Sequence, residues 1–271
     1  MTPSWLHIQR GQAPLILSMP HTGSDLPSDV EAQLRDLWLA RKDADWHIDK
    51  LYAFAAQLGA TLVRTTQSRT VIDVNRDPSG VSLYPGQVTT GLCPTETFDG
   101  EPLYKNGLTG DELERRRSLY FDPYHDALQA EIDRLRAMHP AIVLYEAHSI
   151  RSHVPRLFDG ELPLLNIGTN DGRTCAPALE QRVTQAAAAS GESWVLNGRF
   201  KGGWTTRHYG RPEQGVHAVQ MEIAMRGYLD EPAAFTPETW PIGYDPARAA
   251  PLQATLRTIL QTCIDFAEDQ R

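Results

Sequence analysis

Residues 142–151 read IVLYEAHSIR: four apolar or aromatic side chains in a row, followed at once by Glu146, His148 and Ser149. An unbroken apolar run of this length reads as a strand covered on both faces, the kind found inside a parallel sheet. Its polar end then belongs at the carboxyl edge, where open α/β sheets place their ligands.

The same pattern recurs on either side. PLILSMPHTG (14–23) reads as a buried strand from Leu15 to Met19, stopped by Pro20 and opening on His21. TLVRTT (61–66), RTVIDVNR (69–76), LPLLNIGT (162–169), SWVLNGR (193–199) and HAVQMEIAM (217–225) read as further strands. Between them, helical spacing is expected over 28–39, 43–60, 110–139 and 177–191, and over a C-terminal stretch, 251–270. Gly59 marks one helix stop, and Pro123 an irregularity in another. Residues 79–110 are rich in Gly, Pro and Thr and lack periodicity, which suits a long loop covering a site. Strands alternating with helices predict an α/β fold: one domain, 1–271, with a mostly parallel mixed sheet and helices on both faces.

Composition narrows the function. The 271 residues carry 26 basic and 34 acidic side chains, a net charge of −8, which argues against nucleic acid or an anionic membrane as partner. Cys93, Cys175 and Cys263 are far apart and form no CxxC pair, in keeping with free thiols in a reducing compartment. No basic segment precedes the short apolar stretch near the N-terminus, and no run is long enough to span a bilayer. A soluble cytoplasmic protein is expected. GxSxG, GxxxxGK[ST] and a GxGxxG after a strand are all absent, which sets aside serine hydrolase, P-loop and dinucleotide chemistry.

The strand ends collect polar groups: His21 after the first, Asp73, Asn75 and Arg76 near the third, and Glu146, His148 and Ser149 after IVLY. Glu222 lies inside HAVQMEIAM. Two histidines from separate strands plus one carboxylate form the ligand set of a catalytic zinc site with an open position. Asp45 and Asp49 of DWHID are both candidates for the carboxylate, and Asp45 is nearer the helix start. First-turn acids also serve simply as helix caps. Glu222, flanked by Met221 and Ile223, is either a general base with a raised pKa or the partner of a cation such as Arg226. Arg69, Arg76, Lys201 and Arg207 lie at strand ends or in the Gly-rich stretch 198–212. Cations gathered in an acidic protein suit an anionic guest, and the guanidinium fork suits carboxylates in particular.

PHTG, DADWHIDKLY, SRTVIDVNRDPSG, YEAHS and NGRFKGGWTTRHYGRPEQGVHAVQMEI, in this order, resemble the N-formylglutamate amidohydrolase family from about Leu15 to Asp230. That resemblance implies a zinc-carboxypeptidase-like fold and hydrolysis of N-formyl-L-glutamate to glutamate and formate, as in histidine degradation. It implies Zn2+, or another divalent ion, held by His21, His148 and Asp45, with Asp49 as the alternative. The carboxypeptidases place the metal carboxylate three residues after the first histidine, where this chain has Ser24. Glu222 would be the catalytic glutamate. Asn75 and Arg76 would hold the substrate α-carboxylate, and Arg69 and Arg207 would complete the grip on a small dicarboxylate. Rival readings are a related enzyme acting on another N-acyl or N-carbamoyl acidic amino acid, a metal-free binding protein, or a metal that is purely structural.

Overall fold

The computed structural model describes residues 3–84 and 86–270, so residues 1, 2, 85 and 271 of the expected 1–271 unit lie outside the described residues. In chain order the elements begin β1 (Leu6–Gln9), β2 (Leu15–Met19), α1 (Ser28–Glu31), α2 (Leu39–Lys42), α3 (Ile48–Leu51) and β3 (Thr61–Thr65). After the long irregular region come α4 (Gly110–Arg116), a π-helical turn (Arg117–Phe121), α5 (Asp122–Arg136) and β4 (Ile142–Ile150). The chain ends with β5 (Leu165–Gly168), α6 (Pro177–Ala189), β6 (Trp194–Leu196), α7 (Trp204–Tyr209), β7 (Val216–Ala224) and α8 (Pro246–Glu268).

All seven strands form one sheet in the order β1-β3-β2-β4-β7-β5-β6. The β3–β2, β2–β4, β4–β7 and β5–β6 pairs are parallel, while β1–β3 and β5–β7 are antiparallel. This is the expected mostly parallel mixed sheet, with helices on both faces. On one face Leu15, Leu17, Val143, Tyr145, Met221 and Ile223 join residues of α6 and α8 in the main core. On the other, Ile16, Ile142, Leu144 and Ala218 meet Tyr124, Leu128 and Ile132 of α5. Because side chains alternate along a strand, Glu146, His148, Gln220 and Glu222 follow on this second face, beyond the end of its apolar packing.

Several sequence expectations change. RTVIDVNR is not a strand: residues 68–76 run through successive turns although Val71, Ile72 and Val74 are buried. β2 and β7 already flank β4, and the 68–76 backbone bonds elsewhere, with Asp73 N–H donating to the Leu92 carbonyl at 2.7 Å. The helix expected over 43–60 is broken into α3 and a 3₁₀ segment, Ala53–Leu58. His47 takes a left-handed φ of 63° just before α3, while Gly59, at φ 74°, ends the second piece as expected. Residues 28–39 likewise hold only the single turn of α1 before α2 begins. The π-helical turn stands just before Pro123, the site of the expected irregularity. The C-terminal helix starts five residues early because Asp245 caps it, accepting from Ala247 N–H at 2.9 Å. β1 and α7 were not anticipated.

Candidate active site

β2 and β4 are parallel neighbours, with Ser18 in register with Glu146, so the loop after β2 and the end of β4 open at one edge. His21 and His148, far apart in the chain, lie there with ring centroids 4.7 Å apart. Asp45 reaches them from the turn ahead of α3, its N–H bonded to the His21 carbonyl at 2.9 Å. Its Oδ2 accepts from Ser149 N–H at 3.1 Å and sits 3.1 Å from His148 Nδ1 and 3.9 Å from His21 Nδ1. The three side chains are buried and offer ligand atoms within 4.8 Å of one another. Asp49 has no place in this cluster. Left-handed His47 breaks the chain between the two acids, so their spacing of four does not put them on one helix face.

Each histidine's second nitrogen is engaged as well. His21 Nε2 lies 2.6 Å from Asp73 Oδ1. The other oxygen of Asp73 takes Arg69 Nη2 at 2.6 Å and has Arg76 Nη2 at 3.6 Å. Burial opposes the Asp73 charge, but Arg76, His21 and Arg69 together hold its pKa well below the carboxylate range. Burial and the Arg69 charge lower His21 to about 4, so its imidazole is neutral, as a metal ligand must be. On His148, Nε2 lies 3.0 Å from Asn75 Nδ2 and 3.7 Å from Glu146 Oε1. Thr205 N–H donates to Asn75 Oδ1 at 2.9 Å, which turns the amide so that its Nδ2 faces His148.

Burial disfavours charge on His148, yet its hydrogen bond to Asp45 and the neighbouring Glu146 carboxylate raise it to about 10. Burial also raises Glu146, and lifts Glu222 to about 7 against the pull of His148. Asp73 is answered by arginines; Asp45, Glu146 and Glu222 are left calling for a positive charge beside His148.

A cavity of about 230 Å³ opens on this cluster. Its wall includes His21, His148, Asn75, Glu222 and Gln220. Gln220 accepts from Gly203 N–H at 2.7 Å, which ties the Gly-rich stretch to β7. A side chain at Gly203 would collide with the Asn75 amide at 2.4 Å, so the close approach requires glycine. Arg69 and Arg76 also line the cavity. Arg76 is held by the Thr90 carbonyl and hydroxyl at 3.0 and 2.9 Å, and Arg69 stacks over Phe98 at 4.8 Å.

Arg207 is not among the lining residues. It donates to the carbonyls of Gly202 and Leu83, at 2.8 and 3.1 Å, and covers the Tyr84 ring. Lys201 faces Asp171 at 3.1 Å near the surface. Glu222 does not pair with Arg226, whose partner is Glu161 at 3.2 Å. Arg156 and Arg199, not singled out in the sequence, do line the cavity. No local signal marks them, because their placement depends on the path of the long loop. Among the described residues of 77–109 there is no helix or strand, and much of the cavity wall comes from them.

Residues 13–229 match the family described as N-formylglutamate amidohydrolase. The chain is 46% identical to an N-formylglutamate deformylase of Pseudomonas aeruginosa, covering 98% of both chains. It is 45% identical to an N-formylglutamate deformylase of Pseudomonas putida, covering 98% of this chain and 97% of that one. Among solved structures, an N-formylglutamate amidohydrolase from Ralstonia eutropha superposes with a TM-score of 0.81 at 25% identity, covering both chains fully. A protein of Agrobacterium tumefaciens shares the fold at a TM-score of 0.73 and 17% identity, over 98% of this chain and 97% of that one. No helix among the described residues is long and apolar enough to cross a membrane.

Proposed function

The chain belongs to the N-formylglutamate amidohydrolase family, and on that premise we propose that it hydrolyses N-formyl-L-glutamate to L-glutamate and formate with the help of a divalent ion held by His21, Asp45 and His148. One observation carries the reading: the buried His21–Asp45–His148 cluster reaches, through its two histidines, a cavity whose wall also holds Glu222 and several arginines.

The donor set fits Zn2+ or a similar ion. Two imidazole Nδ1 atoms flank one carboxylate oxygen, and Asp73 orients the far side of His21, a common arrangement around metal-bound histidine. Glu146 supplies a second sign. Its Oε1 is fully buried without a hydrogen-bond partner, 3.7 Å from His148 Nε2. With a cation facing Nδ1, the Glu146 carboxylate would help balance the ion's charge across the His148 ring. A divalent ion at this position supplies Lewis acidity toward the formyl oxygen and lowers the pKa of water.

The protein's own groups do the rest. Glu222 lines the cavity whereas Glu146 does not, which makes Glu222 the base. With its pKa near 7, its carboxylate can take a proton from water as the oxygen adds to the formyl carbon. The resulting carboxylic acid returns that proton to the glutamate nitrogen as the C–N bond breaks, leaving formate and the free amine. Asn75 and Arg76, beside His148, hold the α-carboxylate, and Arg69 steadies His21 through Asp73. Arg207 acts only through Tyr84. Histidine degradation in the cytoplasm is the setting that belongs with this reaction.

The test is formate release from N-formyl-L-glutamate against N-succinyl- and N-carbamoyl-L-glutamate, before chelation, after it, and after Zn2+ is restored. The formyl compound should be cleaved fastest, with activity lost on chelation and regained with metal. Faster cleavage of another acyl group, or full activity in chelator, contradicts the proposal.

A further inference from the structure

Four arginines line the cavity, and they differ in what answers their charge. Arg69 is paired with Asp73 and Arg156 with Glu96, each at 2.6 Å, and Arg76 lies 3.6 Å from Asp73. Arg199 has no carboxylate partner among the described residues. It is nevertheless held firmly. Its Nε donates to the Leu157 carbonyl at 2.8 Å and its Nη2 to the Val88 carbonyl at 3.0 Å. Its guanidinium lies 5.3 Å from the Phe200 ring and 5.6 Å from the Tyr84 ring. Two carbonyls and two rings fix the plane of the fork, while Nη1 makes no hydrogen bond among the described residues. A cation preorganised in this way gives up little rotamer freedom when it takes an anion.

We infer that Arg199 receives the side-chain carboxylate of the substrate and so sets the preference for glutamate over its neutral analogues. The assignment rests on the function proposed above and extends it to a residue outside the expected binding set. Asn75 touches His148, so the Asn75–Arg76 end of the cavity suits the α-carboxylate, next to the bond that breaks. The hydrogen-bond and ring partners of Arg199 are not those of the imidazole pair, so it serves the remote carboxylate. Leu157 and Phe200, both on the cavity wall, offer apolar surface to the intervening methylenes. Burial lowers the Arg199 pKa, and the charges of Glu222 and Arg76 both reach it, so it shares one electrostatic field with the reacting end.

The experiment compares wild type, Arg199→Gln and Arg199→Lys, each checked for folding by circular dichroism. Calorimetry measures binding of L-glutamate and L-glutamine, which differ only at the side-chain terminus. Formate release gives kcat and KM for N-formyl-L-glutamate and N-formyl-L-glutamine. Arg199→Gln should weaken L-glutamate binding by about 10- to 100-fold, the span of one charge-assisted hydrogen bond, and leave L-glutamine binding unchanged. The loss in turnover should fall mainly on KM for the formylglutamate substrate, with Arg199→Lys intermediate. Equal losses on both amino acids, or no loss on glutamate, overturn the assignment. Wild type that releases no formate from N-formyl-L-glutamate would refute the proposed function instead, and the calorimetric comparison would still decide the role of Arg199.

Discussion

β4 and β7 lie side by side from Ile142 and Val216 to Ile150 and Ala224, and on the face toward α5 the two halves of this pair are chemically opposite. The first half presents Ile142, Leu144 and Ala218; the second presents Glu146, His148, Gln220 and Glu222. Burial does not separate them, since none of the seven is more than 7% exposed. What separates them is how burial is compensated. The apolar half is stabilised by removal from water and close packing. The polar half holds groups that would be unfavourable alone, and it is tolerable only where partners or a cation answer them. One strand pair thus carries stability at one end and, on the function proposed above, reactivity at the other.

That contrast breaks most sharply at Glu222. Glu222→Gln should lower kcat by about 10²- to 10⁴-fold, the range for a general base. Its unfolding free energy should stay level or rise, because the buried charge is gone. Steady-state kinetics beside denaturant titration checks both, and normal turnover would remove Glu222 from the mechanism. Leu144→Ala is the mirror change. It should lower the unfolding free energy by about 2–5 kcal/mol while the surviving folded protein keeps its metal affinity. A variant that lost metal without losing stability would contradict the division.

Glu146→Gln probes the boundary. If Glu146 balances the charge of a bound ion across His148, divalent-ion affinity measured with a competing chelator should drop by about 10- to 100-fold in the variant. Unchanged affinity would show the carboxylate to be idle.

The smallest expected effect lies under the site. His125 donates from Nε2 to the Val74 carbonyl at 2.8 Å and has Tyr209 Oη 3.0 Å from its Nδ1. Burial lowers its pKa from 6.5 to about 3. The fold therefore favours the neutral ring. The contribution is complete above pH 6.5 and is lost by at most about 1.4 kcal/mol per pH unit as the pH falls from there toward 3. Unfolding titrations at pH 7.5 and 5.5 should show a steeper fall for the natural protein than for His125→Asn; equal slopes would contradict this.

How much of this was legible in the sequence follows from the same contrast. β4 was readable because its apolar run is continuous and its polar end abrupt. RTVIDVNR carries similar apolar residues, but periodicity reports burial, and only the sheet order shows that β2 and β7 take the places beside β4. Asp45 and Asp49 could not be ranked by spacing, because the ranking depends on the left-handed turn at His47. Arg207 and Arg199 lie eight residues apart in one Gly-rich stretch. Which of them faces the cavity is set by long-range partners, Leu83 and Gly202 for one and Leu157 and Val88 for the other.

The most direct test of the account is metal stoichiometry. Equilibrium dialysis against Zn2+ followed by elemental analysis should find about one ion per natural chain. At the same free Zn2+, the folded Asp45→Asn variant should retain little or none. Equal metal in both proteins, or none in the natural chain, would contradict it.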